Sequence, residues 1–265
     1  MTGVQSITDI PYANYGDREL VLDVHRPEHF TGKLPVILIV AGGAWRSGRK
    51  DSTPVRYAKR GFAMVGICYR GSAEVKAPGN VHDCKAAIRW IRANAEKYGF
   101  DTENIGAFGT SAGGHLVALL GSTPGVAELE GEGGNPGFST KLHAICDVCG
   151  PCDLTKLPEY RAEYPSLDEA TSEYLGGPVE EHMELARLVS PLFYVSKDTP
   201  VTFLMHGDID TSVPLQESYT YHDALKKAGV EVSLRVLPGI GHGDIDWDVE
   251  DENIQSFFER TLKKA

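Results

Sequence analysis

Gly109-Thr110-Ser111-Ala112-Gly113 lies between a short apolar run at residues 104–108 and a helix-like run at residues 115–120. A G-x-S-x-G pentad between a strand and a helix predicts a sharp turn that lifts the central hydroxyl clear of a sheet edge, the nucleophile elbow. The outer glycines supply the conformational freedom that such a turn needs. A lifted serine becomes a nucleophile only when a base takes its proton. Ser111 therefore predicts partners elsewhere in the chain, in the order serine, acid, histidine, each in a loop after a strand.

Working outward, the same alternation of strand and helix recurs. Residues 20–25 predict an early antiparallel strand, and residues 35–40 and 62–68 the next two, with a helix over 52–60 between them. Residues 81–98 carry Cys84, Ala87, Ile88, Ile91, Ala95 and Tyr98 at spacings of three and four, a helix with one apolar face that ends at Gly99. Further strands are expected at residues 142–148, 201–205 and 231–237, with a helix over 215–228. This pattern predicts an α/β fold with a mostly parallel sheet covered on both faces.

The acid and the histidine fall where the elbow needs them. The apolar run 201–205 leads into His206-Gly207-Asp208-Ile209-Asp210-Thr211-Ser212-Val213-Pro214, which puts two carboxylates in a loop before a helix. Strand 231–237 leads into Pro238-Gly239-Ile240-Gly241-His242-Gly243. Glycines flanking His242 predict an exposed loop that carries an imidazole over the strand ends. There Nε2 can take the serine proton while an aspartate holds Nδ1. The candidate triad is Ser111, Asp210 and His242, with Asp208 as the competing acid. Donors for an oxyanion come from Ala41-Gly42-Gly43-Ala44-Trp45, which follows the apolar strand 35–40. The amides of Gly43 and Ala44, with that of Ala112, are the candidate oxyanion hole. Trp45, next in the chain, is the candidate substrate contact.

With these residues in place, the chain resembles the alpha/beta-hydrolases of the esterase/lipase type, and in particular the bacterial feruloyl/acetyl esterase-like (BD-FAE-like) group. The resemblance runs through Trp45-Arg46-Ser47-Gly48, Tyr69-Arg70, Asp83-Cys84-Lys85-Ala86-Ala87-Ile88-Arg89-Trp90 and residues 109–115. It continues through Gly150-Pro151-Cys152-Asp153-Leu154, Ser190-Pro191-Leu192, residues 206–214 and residues 239–243, nearly the whole chain. It implies an eight-stranded, mostly parallel sheet in a single domain, residues 1–265, with a small lid or pocket-wall insertion after the sixth strand, at residues 155–195. In the family's H-G-D-x-D-x-x-V-P pattern the second aspartate is the triad acid, which favours Asp210. One departure is plain: the family usually opens its oxyanion loop with His-Gly-Gly, a histidine that braces the loop, and here Ala41 holds that position.

Composition bounds the partners. The chain has 265 residues, 42% of them hydrophobic, and a formal net charge of −11. An acidic surface argues against nucleic acid and anionic membranes, and no apolar run approaches membrane-spanning length. The first six residues lack the basic start and apolar middle of a signal peptide. The expectation is a cytoplasmic protein as given, or a secreted one if a leader was removed, and a monomer or homodimer. Cys146, Cys149 and Cys152 form C-x2-C-x2-C, a spacing that cluster ligands can use. Cys146 falls in an apolar strand and no fourth cysteine follows, so a structural role, with no metal and no cofactor, is expected. Residues 121–140, rich in Gly and Glu, are expected to form a mobile excursion after the nucleophile helix.

The resemblance implies a serine carboxylesterase that works through an acyl-enzyme on small acyl or aryl esters, such as acetyl or feruloyl groups on plant polysaccharide. An arylformamidase of the kynurenine type shares the Gly-Gly-x-Trp loop and is the enzymatic alternative. A non-catalytic hydrolase-fold binding module is the alternative of another class.

Overall fold

The computed structural model describes residues 3–50 and 53–263. Its strands are β1 (Val4–Tyr15), β2 (Arg18–Pro27), β3 (Leu34–Val40), β4 (Ala63–Ile67), β5 (Phe100–Thr110), β6 (Ala144–Val148), β7 (Val201–Gly207) and β8 (Val232–Leu237). They form one sheet in the spatial order β1-β2-β4-β3-β5-β6-β7-β8. β1 and β2 pair antiparallel, as do β2 and β4; every pairing from β4 through β8 is parallel. The helices are α1 (Gly79–Ala93), α2 (Ala95–Tyr98), α3 (Ala112–Ser122), α4 (Ala127–Glu130), α5 (Leu157–Tyr160), α6 (Pro165–Leu175), α7 (Met183–Leu188), α8 (Leu215–Lys227) and α9 (Trp247–Leu262). No helix among the described residues is long and apolar enough to cross a membrane.

β3 shows why the sheet has two covered faces. Leu-Pro-Val-Ile-Leu-Ile-Val is buried throughout. Its alternate residues go to opposite sides: Val36, Leu38 and Val40 join the cluster that holds Ile88, Leu116 and Val117, whereas Ile37 and Ile39 join that of Phe257, Phe258 and Leu262. A strand buried on both faces loses the polar alternation of a surface strand and reads as one apolar run.

Several expectations need adjusting. The helix expected over 52–60 begins outside the described residues and is a 3-10 helix, Val55–Arg60. The helix expected over 81–98 divides at Asn94, whose Nδ2 donates to the Trp90 carbonyl (3.0 Å); such side chains compete with the backbone ladder and end helices. β1 has no counterpart among the expected strands. It is an edge strand, largely exposed, with register shifts at Ile7/Ile10 and Pro11/Ala13, and such irregularity blurs the period-2 signal while blunting the edge.

Residues 121–140 are tied down rather than loose. α4 lies there, and Glu130 at its end takes Lys85 (2.8 Å) and Arg89 (3.2 Å) from α1, while Arg92 donates to the Ser139 carbonyl (2.8 Å). Residues 155–195, between β6 and β7, fold into α5, α6, α7 and short 3-10 turns. The carboxyl ends of β3, β5, β6, β7 and β8 all point to one edge of the sheet, where ligands of open parallel sheets bind.

Candidate active site

Ser111 sits at the junction of β5 and α3 with φ 55° and ψ −124°. That conformation costs a non-glycine residue about 1–3 kcal/mol and persists only where the surroundings impose it. The surroundings are tight: a Cβ on Gly109 would lie 2.2 Å from the Gly113 carbonyl oxygen, and one on Gly113 would lie 2.1 Å from that of Val40. Both positions must be glycine because backbone crosses backbone there. The Ser111 N–H donates to the Val148 carbonyl (2.7 Å) and its own carbonyl accepts from His115 N–H (3.0 Å). The hydroxyl is thus held at the amino end of α3.

His242 comes from the loop after β8. Its Nε2 is 2.9 Å from Ser111 Oγ and its Nδ1 is 2.7 Å from Asp210 Oδ2. The carboxylate can only accept, so Nδ1 carries the proton and Nε2 is left to accept the serine hydroxyl. Asp210 is itself fully engaged. Its Oδ1 accepts from Ser212 N–H (2.7 Å) and Val213 N–H (2.9 Å), and its Oδ2 lies 3.2 Å from His206 Nε2. Burial would raise this carboxyl, but the hydrogen bonds from His206, His242 and the Val213 amide outweigh it and hold Asp210 well below the usual carboxylate range. Asp208 does something else: it is exposed, and its Oδ1 accepts from Gly239 N–H (2.6 Å), fastening the turn after β8.

Nothing local in the sequence marks His206, although it stands at the head of the Asp208/Asp210 loop. It is fully buried. Its Nε2 faces two acceptors, the Val213 carbonyl (3.1 Å) and Asp210, and its Nδ1 meets Ser218 Oγ (2.7 Å). Nε2 must therefore carry the proton, and His206 and His242 converge on the same oxygen, Oδ2 of Asp210.

The candidate oxyanion loop has an unusual backbone. Gly43, Ala44 and Trp45 take positive φ in succession, 119°, 54° and 56°. The turn closes with Arg46 N–H donating to the Gly43 carbonyl (2.9 Å). A tight turn of this kind can gather backbone N–H groups into a concavity that favours negative charge. Gly43, Ala44, Ser111 and Ala112 border one cavity of about 660 Å³, together with His242. The missing His at position 41 is replaced by other braces. The Tyr69 hydroxyl donates to the Ala41 carbonyl (2.9 Å), and Arg46 pairs with Glu173 (2.6 Å) and Glu169 (3.2 Å) of α6.

Trp45 is placed differently from the expectation of a substrate contact. It borders the cavity but is only 1% exposed. Its ring stacks on Tyr174 of α6 at 4.8 Å, and its Nε1–H donates to His115 Nδ1 (3.1 Å). His115 Nε2–H in turn donates to the Val189 carbonyl (2.7 Å), and burial pulls its pKa down to about 4, so the ring is neutral. Trp45 thus forms a wall that holds the oxyanion loop from behind. The cavity is walled further by Leu167 and Ala170 of α6, by Ile245 just before α9 and by Trp247 at its start. A second cavity of about 330 Å³ lies alongside and shares Ala41, Thr110 and Trp247 with the first.

The three spaced cysteines are buried and free, as is Cys84. Cys146 is in the sheet core, and the Cys152 thiol donates to the Glu217 carbonyl (3.2 Å). Their spacing follows β6 into a loop and does not bring three sulfurs to one ligand site; Cys149 alone faces the triad.

A family model, BD-FAE, matches residues 22–225, a span that includes Ser111 and Asp210 and ends before His242. The chain belongs to the BD-FAE family. This BD-FAE chain is 32% identical over 238 residues to Esterase LipC of Mycobacterium tuberculosis, covering 86% of this chain and 58% of LipC, so it spans little more than half of that relative. A truncated form of a carbohydrate esterase from gut microbiota matches in structure with a TM-score of 0.85 at 30% identity, covering 98% of this chain and 97% of that chain. Thermogutta terrifontis esterase 2 phosphoramylated by tabun matches with a TM-score of 0.80 at 25% identity, covering 96% and 94%. The eight-stranded, mostly parallel sheet with helices on both faces is the alpha/beta-hydrolase fold of these esterases.

Proposed function

We propose that this BD-FAE protein is a serine carboxylic-ester hydrolase acting on small acyl or aryl esters, including acyl groups carried on carbohydrate. The observation that carries the reading is the unbroken hydrogen-bond chain Ser111–His242–Asp210 at the edge of a cavity of about 660 Å³, a size suited to a small organic substrate. The names of the relatives support it: LipC is an esterase, the gut-microbiota protein a carbohydrate esterase, and esterase 2 takes an organophosphate adduct.

In this mechanism His242 Nε2 accepts the Ser111 proton as Oγ attacks the ester carbonyl. The tetrahedral oxyanion forms against the N–H groups of Gly43, Ala44 and Ala112. Among the described residues no protein group accepts from the Gly43 and Ala44 amides, and the Ala112 amide is one of the orphan donors at the start of α3. His242 then gives its proton to the leaving alkoxide, and a water that it activates cleaves the acyl-enzyme. Asp210 keeps Nδ1 protonated and compensates the imidazolium as it forms.

The test is labelling with a fluorophosphonate probe, followed by rates on p-nitrophenyl acetate, butyrate and octanoate, methyl ferulate and acetylated xylan. Wild-type protein should label and turn over, and Ser111→Ala should do neither. A wild-type protein that folds but is not labelled would leave a binding module.

A further inference from the structure

The mechanism leaves one nucleophilic side chain beside the triad unused. Cys149 directly follows β6, and its φ of 49° lies in the region that non-glycine residues rarely enter. Its N–H donates to the Met205 carbonyl (2.8 Å), which locks the backbone and sets the direction of the thiol. The Sγ of Cys149, a carboxylate oxygen of Asp210 and a ring nitrogen of His242 all lie within 4.8 Å of one another. Cys149 is 3% exposed, yet it borders the large cavity, so a small ion has a route to it.

Thiolate, imidazole and carboxylate together are the donor set of zinc-type ions. Bonds of about 2.3 Å to sulfur and about 2.0–2.2 Å to nitrogen and oxygen put tetrahedral ligand atoms roughly 3.3–3.7 Å apart, so the present separations need only small side-chain rotations. Sulfur selects against magnesium and calcium, which prefer all-oxygen shells. The cavity supplies water for the fourth position.

We propose that Cys149, Asp210 and His242 form a site for a thiophilic divalent cation, Zn2+ or Cd2+, whose occupation switches the triad off. Binding forms one metal–sulfur, one metal–nitrogen and one metal–oxygen bond. The Cys149 proton passes to solvent, the ion sheds waters, and no electron moves. Either ring nitrogen serves the same outcome. Coordination through Nε2 removes the lone pair that takes the Ser111 proton; coordination through Nδ1 replaces the hydrogen bond to Asp210 and moves the ring proton to Nε2, which then cannot accept from Ser111. The loss of turnover rests on the hydrolase reading above, whereas the binding itself does not.

The experiment titrates metal-free full-length protein with Cd2+, following the cadmium–thiolate absorbance in the ultraviolet, and with Zn2+, following ester hydrolysis. Cys149→Ala is compared throughout, and Cys68→Ser controls for the one less-buried thiol. Wild type and Cys68→Ser should gain the thiolate band and lose hydrolysis, about 100-fold at a metal concentration a hundred times the dissociation constant, with recovery on adding EDTA. Cys149→Ala should keep its basal activity, lose the inhibition and show no band. His242→Ala, read by absorbance alone, should bind Cd2+ at least tenfold more weakly, which keeps the test open if Cys149→Ala does not fold. Equal inhibition of wild type and Cys149→Ala would overturn the site, as would the absence of both band and inhibition in wild type. If the protein proves not to hydrolyse esters, the thiolate band and its dependence on Cys149 and His242 still decide the proposal.

Discussion

Asp210→Asn is the change that tests the site most sharply, because the geometry dictates how the new amide must sit. Oδ1 faces two N–H donors, Ser212 at 2.7 Å and Val213 at 2.9 Å, so the asparagine oxygen takes that side. Its NH2 then replaces Oδ2 and points a donor at His242 Nδ1 and at the Nε2–H of His206. To avoid two facing donors, His242 shifts its proton to Nε2, where it can no longer accept from Ser111. A triad locked in the wrong tautomer loses about 10⁴-fold in kcat, or roughly 5 kcal/mol of transition-state stabilisation. The assay is kcat and KM on p-nitrophenyl acetate for Asp210→Asn, Asp208→Asn and wild type. KM should stay within a few fold, since no substrate contact changes. Asp208→Asn retains an oxygen for the Gly239 N–H and should change kcat less than about fivefold, because one exchanged hydrogen bond is worth about 1 kcal/mol or less. An Asp210→Asn enzyme within tenfold of wild type, or a crippled Asp208→Asn, would refute the assignment.

Asp147, fully buried behind the elbow, tests stability in place of rate. Burial pushes its carboxyl up to about 7 against the opposing hydrogen bond from Gly150 N–H. Between about pH 4 and pH 7 the unfolded chain releases this proton while the folded protein keeps it, so the group erodes stability as pH rises through that window. The full effect is on the order of 4 kcal/mol above pH 7. Asp147→Asn should therefore unfold at higher urea than wild type at pH 8 and match it near pH 4; parallel pH profiles would count against the argument. Tyr69→Phe removes the hydroxyl that braces Ala41 (2.9 Å) and should lower kcat about fivefold with KM little changed, about 1 kcal/mol for one lost hydrogen bond; an unchanged kcat would show that the loop does not need it. Trp247→Ala removes the side chain shared by the two cavities and should raise the octanoate-to-acetate ratio of kcat/KM roughly tenfold, the scale set by added methylenes in an apolar pocket. A ratio unchanged by the substitution would place the acyl chain elsewhere.

The sequence disclosed most where local chemistry and chain order agree. β3 was legible because a strand buried on both faces is apolar throughout, and the elbow because only glycines fit where Gly113 crosses Val40. Asp210 could be separated from Asp208 through the resemblance, and the structure places its carboxylate on His242. What stayed hidden depends on contacts across long sequence separation. Trp45 looked like a substrate contact because it adjoins the oxyanion loop, and nothing local reveals that Tyr174 and His115 enclose it. Cys149 looked like one sulfur of a series, since spacing along a chain does not tell which thiol turns toward a histidine 93 residues away, the difference between positions 242 and 149. β1 is illegible for the opposite reason: its exposed, bulged edge leaves no clean alternation to read.

The stack of Trp45 on Tyr174, with Arg46 paired to Glu169 and Glu173, has a consequence for how this scaffold diversifies. The helix that shapes the substrate wall also steadies the loop that carries the amides of Gly43 and Ala44. On the proposed hydrolase reading, a change in α6 would then alter selectivity and turnover together. An exchange of residues 155–195 between relatives would transplant a new wall and at the same time unfasten the recipient's loop. Transplants should succeed where the partners at positions 45, 46, 115 and 174 travel as a set, and the historical spread of substrates on this scaffold should follow the same linkage.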